Sequence, residues 1–524
     1  MTSAADSTRF DPVDAARQMR EIRDAARPPG VPAQHGAVDH RDPPPAAEGQ
    51  LPTLLTDRGN AKLFAATYGD RFRHVEGLGW YAWDTYRWRR TGGEKAAVWA
   101  AGDLAEQMPA TDPDGRFTDR DLAAHRRRSM STPGIKAMLA QAKASPALAL
   151  DTDVLDGDPY ALCTPAGVVD LRTGELHKPD PLHDMHSRAT GVAPENTPTP
   201  RWHRFLGDTF GEDAKGRETI DFLHLLLGYS ITGDVGAQVL PFLYGTGANG
   251  KSVLLDVMTQ ILGDYAQAAP PGFLMEKGKF SEHSTELTEL HGRRIVVCSE
   301  LRPNDRFDEA RVKLLTGGDR ISARRMRQDF FSFTPTHKLW LLGNHRPEVG
   351  TGGHAFWRRI RLIPFERVVP ASRKIDNLAK ELVDSEGPGI LHWLVEGARR
   401  YLTTRDPLTG PASVRSATEA YATTEDHIGR FLGERCTRGV EDAERADLRV
   451  EQGLLYGAYS AWCNAGEGLR PATARAFATR VRQELGLASP ADMTKSSGRK
   501  YYPGLGLLPE DGDAPGRDDG ARDA

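Results

Sequence analysis

An α/β fold with a parallel sheet is predicted for the central part of this 524-residue chain, at about residues 200–370. The apolar run 238–244 precedes a Gly-rich loop, and a helical pattern follows as far as residue 262. Two further apolar runs, Ile295–Cys298 and Leu339–Leu342, are short enough to be buried strands and are separated by helical segments. Such alternation of strands and helices is typical of a parallel sheet that helices cover.

Composition and hydrophobic pattern divide the rest of the chain into smaller segments. Residues 28–53 are rich in proline, and regular structure is first indicated beyond residue 54. In the next segment, 60–68 predicts a helix, 74–76 and 80–82 predict strands, and 162–178 predicts two strands joined at Thr173-Gly174. The predicted units are a disordered arm and linker (1–54), an α+β domain (55–195), the α/β domain (200–370), a helical region (376–435), a small C-terminal domain (440–508) and a disordered acidic tail (509–524).

Net charge by itself indicates no particular binding partner. Lysine and arginine together number 68 and aspartate and glutamate 72, so the formal charge is −4. The segment 509–524 holds six acids and two arginines, and without it the two signs are equal in number. Any contact with nucleic acid must therefore come from local basic patches.

The composition excludes several classes of protein. Hydrophobic residues make up 39% of the chain and charged residues 27%, as in ordinary globular proteins. No stretch approaches the ~18 apolar residues that span a bilayer, so no membrane partner is expected. The four cysteines are far apart and form no CxxC pair, which argues against a structural zinc site or disulfides and fits a reducing cytoplasm.

The strongest motif is the loop that follows the apolar run 238–244. It fits the pattern G-x-x-x-x-G-K-[ST], and its residues are Gly245, Thr246, Gly247, Ala248, Asn249, Gly250, Lys251 and Ser252. Glycines let backbone N–H groups turn toward phosphate oxygens, and the N-terminus of the following helix favours negative charge. Lys251 is expected to contact the β- and γ-phosphates of ATP, and Ser252 to bind Mg²⁺. A surface turn that matches by chance is the alternative.

Two later strands end in polar side chains that suit a nucleotide site. Glu300 follows the run Ile295–Cys298 and is predicted to polarise the attacking water or to hold the Mg²⁺ together with Ser252. Asn344 follows the next apolar strand and is predicted to sense the γ-phosphate or its water. The alternatives are a surface carboxylate and a turn-forming asparagine at a strand end.

A pair of arginines, Arg358 and Arg359, precedes a further apolar strand. One of them is predicted to be an arginine finger, which reaches the ATP of a neighbouring subunit and stabilises the charge of the transition state. A salt-bridged or solvated pair is the alternative.

Two basic patches are the candidates for DNA contact. Between Arg293 and Arg327 there are ten basic and five acidic residues, and 320–326 with 330–333 predict a hairpin with arginines near its tip. A helix and a basic ribbon in the C-terminal domain indicate a winged helix. The predicted DNA contacts are Lys313, Arg324, Arg325 and Arg327 in the first patch and Arg475, Arg480, Arg482, Lys495, Arg499 and Lys500 in the second. The alternatives are a solvated face and a protein-binding module.

The order of these motifs resembles that of superfamily 3 helicases. Gly245–Ser252 is followed by HSTELTELHGRRIVVCSE (283–300), LTGGDRISARRM (315–326), LWLLGNHRP (339–347) and FWRRIRLIPF (356–365). More narrowly, the chain resembles the C-terminal helicase part of the phage and plasmid primase family, which is related to poxvirus primase-helicases. LTDRGNAKLF (55–64) with GLGWYAWDTYRW (77–88) resembles the N-terminal domain of that helicase part, and 440–508 resembles its terminal winged helix.

The resemblance implies an AAA+-like core that uses ATP and Mg²⁺, forms a homo-hexameric ring and moves 3′→5′ on single-stranded or forked DNA. We therefore expect an ATP-dependent DNA helicase of phage or mobile-element replication, acting in the host cytoplasm. Full-length relatives carry a primase-polymerase domain, whereas only about 50 residues precede the helicase part here, so primer synthesis is expected from a separate primase. An origin-binding or primase-loading ATPase switch is the alternative function.

Overall fold

The computed structural model describes most of the chain. The described ranges are 50–276, 284–299, 301–324, 330–350, 352–370, 372, 374–439, 448–465 and 470–509. The predictions for Glu300, Arg325 and Arg327, for residues 1–49 of the arm and for 510–524 of the tail therefore lie outside the described residues. In the described ranges no helix is long and apolar enough to cross a membrane.

From residue 50 onward, the described N-terminal part combines four helices with two small sheets. Its elements are α1 (Asp57–Tyr68), β1 (Phe72–Val75), β2 (Gly79–Asp84), β3 (Arg87–Arg89), α2 (Gly93–Glu106), α3 (Asp119–Ser129), α4 (Thr132–Ala142), β4 (Ala149–Leu150), β5 (Ala161–Thr164), β6 (Gly167–Asp170) and β7 (Leu176–His177). The side chains of Thr56, Thr118 and Ser131 cap α1, α3 and α4 by accepting from a backbone N–H of the first turn. The strand order is β3-β2-β1-β4 in one sheet and β5-β6-β7 in the other. The predicted helix and the two predicted strands around Gly79 are confirmed.

Residues 162–178 lie in three strands, so the prediction of two is wrong. The predicted turn at Thr173-Gly174 joins β6 to β7. An additional turn at Pro165-Ala166 joins β5 to β6, and the Thr164 hydroxyl stabilises it by accepting from Ala166 N at 3.2 Å. Because proline cannot donate in a ladder, this turn ends β5 and creates a second hairpin.

A five-stranded parallel sheet forms the centre of the molecule. The strands of this region are β8 (Leu240–Tyr244), β9 (Ala266–Ala268), β10 (Ile295–Cys298), β11 (Ile321–Arg324), β12 (Phe330–Phe333), β13 (Lys338–Gly343) and β14 (Ile360–Pro364). The sheet order is β14-β8-β13-β10-β9, and β11 and β12 form a separate antiparallel hairpin. Trp340 of β13 packs into one apolar cluster and its neighbours Leu339 and Leu341 into another, so both faces of the sheet are buried. The predicted α/β fold with a parallel sheet is confirmed.

Helices alternate with these strands along the chain. They are α5 (Pro200–Phe210), α6 (Ala214–Ile231), α7 (Lys251–Leu262), α8 (Ser284–Thr288), α9 (Glu309–Leu315), α10 (His354–Trp357) and α11 (Leu378–Thr404). The long helix α11 packs closely against α6, where a Cβ added at Gly228 would lie 2.1 Å from the carbonyl carbon of Gly397. Glycine at this crossing allows the two backbones to touch.

The C-terminal part consists of helices and short antiparallel strands. Its elements are α12 (Ala412–Glu425), α13 (His427–Arg435), β15 (Cys436–Arg438), β16 (Arg449–Glu451), α14 (Gln452–Ala465), α15 (Ala474–Glu484), β17 (Thr494–Ser496), β18 (Arg499–Pro503) and β19 (Leu505–Leu507). One sheet has the order β16-β18-β17, and β15 pairs with β19. Tyr459 of α14 joins the helices, since its ring stacks 4.5 Å from that of Phe477 and its hydroxyl lies 2.8 Å from His427 Nδ1.

Strand register decides what meets at the carboxyl edge of the central sheet. Tyr244 at the end of β8 lies opposite Gly343 of β13 on one side and opposite Pro364 of β14 on the other. The segments that follow β8 and β13 therefore emerge side by side, at the edge where ligands bind in open α/β sheets.

Candidate functional site

The loop between β8 and α7 has a backbone conformation that glycines make possible. Gly247 and Gly250 have φ values of 113° and 86°, and Ala248 between them has a φ of 50°. A Cβ added at Gly245 would lie 2.4 Å from the carbonyl oxygen of Phe365, so no side chain fits there. The loop ends where α7 begins, and the first N–H groups of a helix have no partner within it.

Lys251 is buried against this loop, with 4% of its surface exposed. Its ammonium group donates to Gly245 O at 2.7 Å and to Asn249 Oδ1 at 2.9 Å, and burial lowers the pKa of Lys251 from its ordinary value. Asn249 is fixed in turn, because its Nδ2 donates to Phe365 O at 2.9 Å. The sequence motif does not specify a residue at this position, so this positioning role of Asn249 was missed. With three donors, the ammonium group retains one for an anionic ligand.

A cavity of about 410 Å³ lies at the carboxyl edge of the sheet, beside the loop. Three segments line it: the loop with the first turn of α7, the end of β13, and the chain after position 300. The lining includes Gly247, Asn249, Lys251, Ser252, Leu301 and Asn344. The structure thus brings Lys251, Ser252 and Asn344 together, although they are far apart in the sequence.

The residue that follows Glu300 is also at this cavity. Leu301 lines it and packs against Gly343, where an added Cβ would lie 2.3 Å from Leu301 Cδ1. On the other side, β10 ends at Cys298, which is opposite Leu341 of β13. Glu300 itself lies outside the described residues, and its roles as water-polarising group and Mg²⁺ ligand stay predictions.

Arg358 and Arg359 lie at the amino ends of the sheet strands, whereas the loop lies at their carboxyl ends. They directly precede β14, whose other end, Pro364, is opposite Tyr244 beside the loop. Five strand residues span roughly 15 Å, so β14 separates these arginines from the loop of their own chain. Neither arginine lines the cavity.

The two arginines differ in burial and in their partners. Arg359 is buried, and its guanidinium donates to Thr316 Oγ1 at 2.9 Å and to Gln238 Oε1 at 3.3 Å. Burial lowers the pKa of Arg359, and the neighbouring charge of Arg358 lowers it further. Arg358 is exposed and donates to the same oxygen of Gln238. No motif marks Gln238, so sequence reasoning had no signal for it.

The predicted basic hairpin is present as β11 and β12. Arg324 pairs with Phe330, and its guanidinium lies 4.8 Å from the centre of the Phe330 ring. Both side chains are exposed. Lys313 belongs to another surface: it lies on α9, 3.6 Å from Glu309, and lines a cleft between α10 and α15.

This interdomain cleft, of about 1450 Å³, is larger than the cavity at the loop. Lys313, Arg475 and Arg480 all line it. The structure therefore joins basic residues that the sequence placed in two separate patches. Acidic residues Glu425 and Glu484 line the same cleft, so its charge is mixed.

Acidic partners neutralise two of the predicted DNA contacts in the C-terminal part. Arg480 pairs with Asp426 at 2.9 Å and also with Glu484. Arg499 pairs with Glu451 at 2.8 Å.

The other four predicted contacts remain on the surface. Lys495 and Lys500 are exposed and lie opposite each other in β17 and β18, where like charges repel. Arg475 is exposed at the start of α15, and Arg482 donates to Thr479 Oγ1 at 3.1 Å. These side chains could accept a polyanion without first giving up an acidic partner that the described residues show.

Known families match two parts of the chain. Residues 61–211 match the family described as D5 N terminal like. Residues 243–359 match a family of unknown function, DUF5906. The second match contains the loop, β11 and β12, Asn344 and both arginines.

Similar proteins come from large DNA viruses. "Putative helicase L207/L206" of Acanthamoeba polyphaga mimivirus is 31% identical over 163 residues, which are 31% of this chain and 17% of that protein. "Putative helicase 184R" of Invertebrate iridescent virus 6 is 26% identical over 246 residues, covering 41% of this chain and 25% of that protein. "Putative primase C962R" of African swine fever virus (strain Badajoz 1971 Vero-adapted) is 23% identical over 354 residues, covering 63% of this chain and 35% of that protein.

One solved structure with a similar chain is the apo structure of the NrS-1 C terminal region. It has a TM-score of 0.40 and 12% identity, and the match covers 71% of this chain and 89% of that one. The matched residues span 17% to 35% of the three viral relatives. By its two family matches and these relatives, the chain is similar to the D5-like primase-helicases.

Proposed function

We propose that this chain is an ATP-dependent DNA helicase of phage or mobile-element replication, which translocates 3′→5′ on single-stranded DNA and opens forks. The observation that carries the proposal is the cavity in which the Gly245–Ser252 loop meets Asn344. Its volume of about 410 Å³ lies within the roughly 300–1,000 Å³ of small-molecule sites. Its lining supplies a buried ammonium group, a hydroxyl and an amide.

The residues of the cavity suit the triphosphate of ATP. Loop N–H groups and the start of α7 bind phosphate oxygens, and Lys251 offers its remaining donor to the β- and γ-phosphates. Asn344 lines the same cavity and orients the attacking water or the γ-phosphate.

The same cavity suits Mg²⁺ as well. Among the described residues there is no group of three or more His, Cys, Asp or Glu that could hold a metal. Mg²⁺ needs no such group, because one or two protein ligands with phosphate oxygens and water suffice. Ser252 lines the cavity and, with Glu300, would hold the ion, which when bound neutralises phosphate charge.

The topology of the sheet supports an AAA+-like core that works as a hexameric ring. The loop strand β8 lies between β13, which carries Asn344, and β14, which Arg358 precedes. Because Arg358 is exposed and distant from its own loop, it suits contact with the ATP of a neighbouring subunit. Arg359, in contrast, is bound within its own chain and is assigned a structural role.

Two surfaces would contact DNA. The hairpin with Arg324 would hold phosphates of a single strand in the pore. In the C-terminal part, the order α13, β16, α14, α15, β17, β18 supports a winged helix. Because Arg480 and Arg499 are ion-paired, we assign duplex contact to Arg475, Lys495 and Lys500.

The alternative is an ATPase switch that binds an origin or loads a primase without processive unwinding. The helix-and-ribbon unit at the C-terminus favours it, since such a unit binds duplex DNA or protein without needing translocation. Strand displacement on forked DNA with ATP and Mg²⁺ separates the two functions. The helicase function predicts strand displacement from forks with a 3′ tail. ATP hydrolysis without displacement or translocation would contradict that function.

Replacing Arg324, Arg325 and Arg327 together with alanine is expected to weaken binding to single-stranded DNA. If each contacts one phosphate, the slope of log K against log salt should become shallower by about 2. Fluorescence anisotropy across a salt series measures both effects.

The matched control is the triple alanine replacement of Arg126, Arg127 and Arg128 in α3, which removes the same charge elsewhere. We expect it to leave the slope unchanged. If both variants lost affinity and slope equally, the hairpin would contribute only its net charge to DNA binding.

A further inference from the structure

The hairpin formed by β11 and β12 has one exposed and one buried face. Ser322 and Arg324 of β11 are exposed, and Phe330 of β12 is 62% exposed on the same side. Phe331 and Phe333 point to the other side and are buried. The way this second face is covered decides what holds the hairpin in place.

The N-terminal part covers part of that buried face. Gly77, in the turn between β1 and β2, is so close that an added Cβ would lie 3.3 Å from Phe331 Cβ. Val75 and Leu155 of the N-terminal part belong to the same apolar cluster as Phe331 and Phe333. The hairpin is therefore packed against a segment more than 150 positions earlier in the chain.

A polar contact joins the same two parts. The Arg320 guanidinium, just before β11, binds Asp153 Oδ2 at 2.7 Å through Nη1 and donates to Ser332 O of β12 at 3.1 Å through Nη2. Beside Asp153, the hydroxyl of Thr152 donates to Glu76 O at 3.1 Å, in the β1–β2 turn. One guanidinium thus connects both strands of the hairpin to the N-terminal segment that contacts its base.

We propose that the N-terminal part positions the DNA-binding hairpin, with Asp153 and Arg320 as positioning residues. The hairpin then keeps its orientation toward a DNA strand because two segments hold its base, the central α/β unit and the N-terminal part. The inference about DNA rests on the proposed function, whereas the contact itself does not. Since Asp153 and Arg320 are about half exposed, breaking their ion pair should loosen the base of the hairpin without unfolding the chain, because the apolar packing of Phe331 and Phe333 remains.

The direction in which one substitution changes the affinity for DNA tests this role. Removing an acid beside a basic hairpin should by simple electrostatics tighten DNA binding. A positioning role predicts the opposite: Asp153→Asn should weaken binding to single-stranded DNA by about two- to fivefold, the range for an exposed ion pair. Asp153→Glu, which keeps the carboxylate, should restore affinity.

The matched control is Asp151→Asn, which removes the same charge from an exposed residue two positions away. It should leave affinity unchanged or slightly higher. If Asp153→Asn bound DNA as tightly as Asp151→Asn, or more tightly, positioning by Asp153 would be refuted.

A second measurement does not depend on DNA. Hydrogen–deuterium exchange of the full chain should be faster in β12 for Asp153→Asn than for wild type or Asp151→Asn, because Arg320 no longer holds Ser332 O to the N-terminal segment. Unchanged exchange would overturn the contact. If wild type neither bound DNA nor hydrolysed ATP, the proposed function would fail, and exchange in β12 would still report on the contact.

Discussion

Replacing Lys251 with alanine is expected to abolish ATP hydrolysis and to leave the fold intact. The ammonium group is held by Gly245 O and Asn249 Oδ1 in the loop that lines the cavity. Loss of one preorganised group that stabilises the transition state lowers kcat by about 10²–10³. The replacement leaves Gly245 O and Asn249 Oδ1 without this donor, which should cost about 1–3 kcal/mol, less than the roughly 5–15 kcal/mol that stabilises a folded domain. Steady-state hydrolysis and thermal unfolding measure the two effects.

Lys215→Ala is the matched control for this prediction. Lys215 lies on α6, pairs with Glu366 at 2.9 Å and does not line the cavity. Its replacement removes a positive charge from the same unit and should leave hydrolysis near the wild-type rate. A folded Lys251→Ala protein that hydrolysed ATP at close to the wild-type rate would show that the loop is not the site of hydrolysis.

Arg358→Ala is expected to lower hydrolysis by about 10³ or more, the effect of losing an arginine finger. The expected loss of hydrolysis has a different cause from that in Lys251→Ala. Arg358 is exposed and separated from its own loop by the length of β14, so the variant should still bind ATP. Binding of a fluorescent ATP analogue, measured beside steady-state hydrolysis, distinguishes lost binding from lost catalysis.

Mixing two inactive variants tests whether this arginine acts between subunits. In a mixed ring, the intact loop of an Arg358→Ala subunit can face the intact Arg358 of a Lys251→Ala subunit. The mixture should therefore hydrolyse more ATP than either variant alone. No recovery in verified mixed assemblies would contradict action across an interface.

Arg359→Ala provides the contrast to Arg358→Ala. Arg359 is buried and donates to Thr316 and Gln238, so its loss removes the donor to the buried hydroxyl oxygen of Thr316, whereas Gln238 Oε1 still accepts from Arg358. Such a loss costs about 1–3 kcal/mol of folding free energy. We expect a lower unfolding temperature for Arg359→Ala and a near-normal one for Arg358→Ala.

Much of the loop could be predicted because its residues are adjacent in the sequence. Gly247 and Gly250 adopt left-handed φ values that glycine tolerates, and Lys251 begins the helix that the pattern predicted. The apolar strand before the loop and the helix after it are likewise local signals. The contact of Asn249 with Phe365 could not be predicted, since Phe365 follows a strand more than 100 positions later.

The place of Asn344 beside the loop depends on strand order. Along the chain β9 and β10 come between β8 and β13, yet in the sheet β13 is the direct neighbour of β8. A pattern of short apolar runs predicts buried strands but does not say which of them pair. Long-range hydrogen bonding, such as the pairing of Tyr244 with Gly343, makes that choice.

The sequence by itself determined the α/β class of the central part, the family that the chain resembles and the position of each local motif. These depend on periodicity, turn chemistry and contiguous residues, all of which can be recognised within short segments of the sequence. Only the tertiary structure decided that Arg359 is buried while Arg358 is exposed, that Arg480 is ion-paired, and that the N-terminal part packs against the hairpin. Burial and ion pairing arise from contacts between segments far apart in sequence, and no local pattern specifies those.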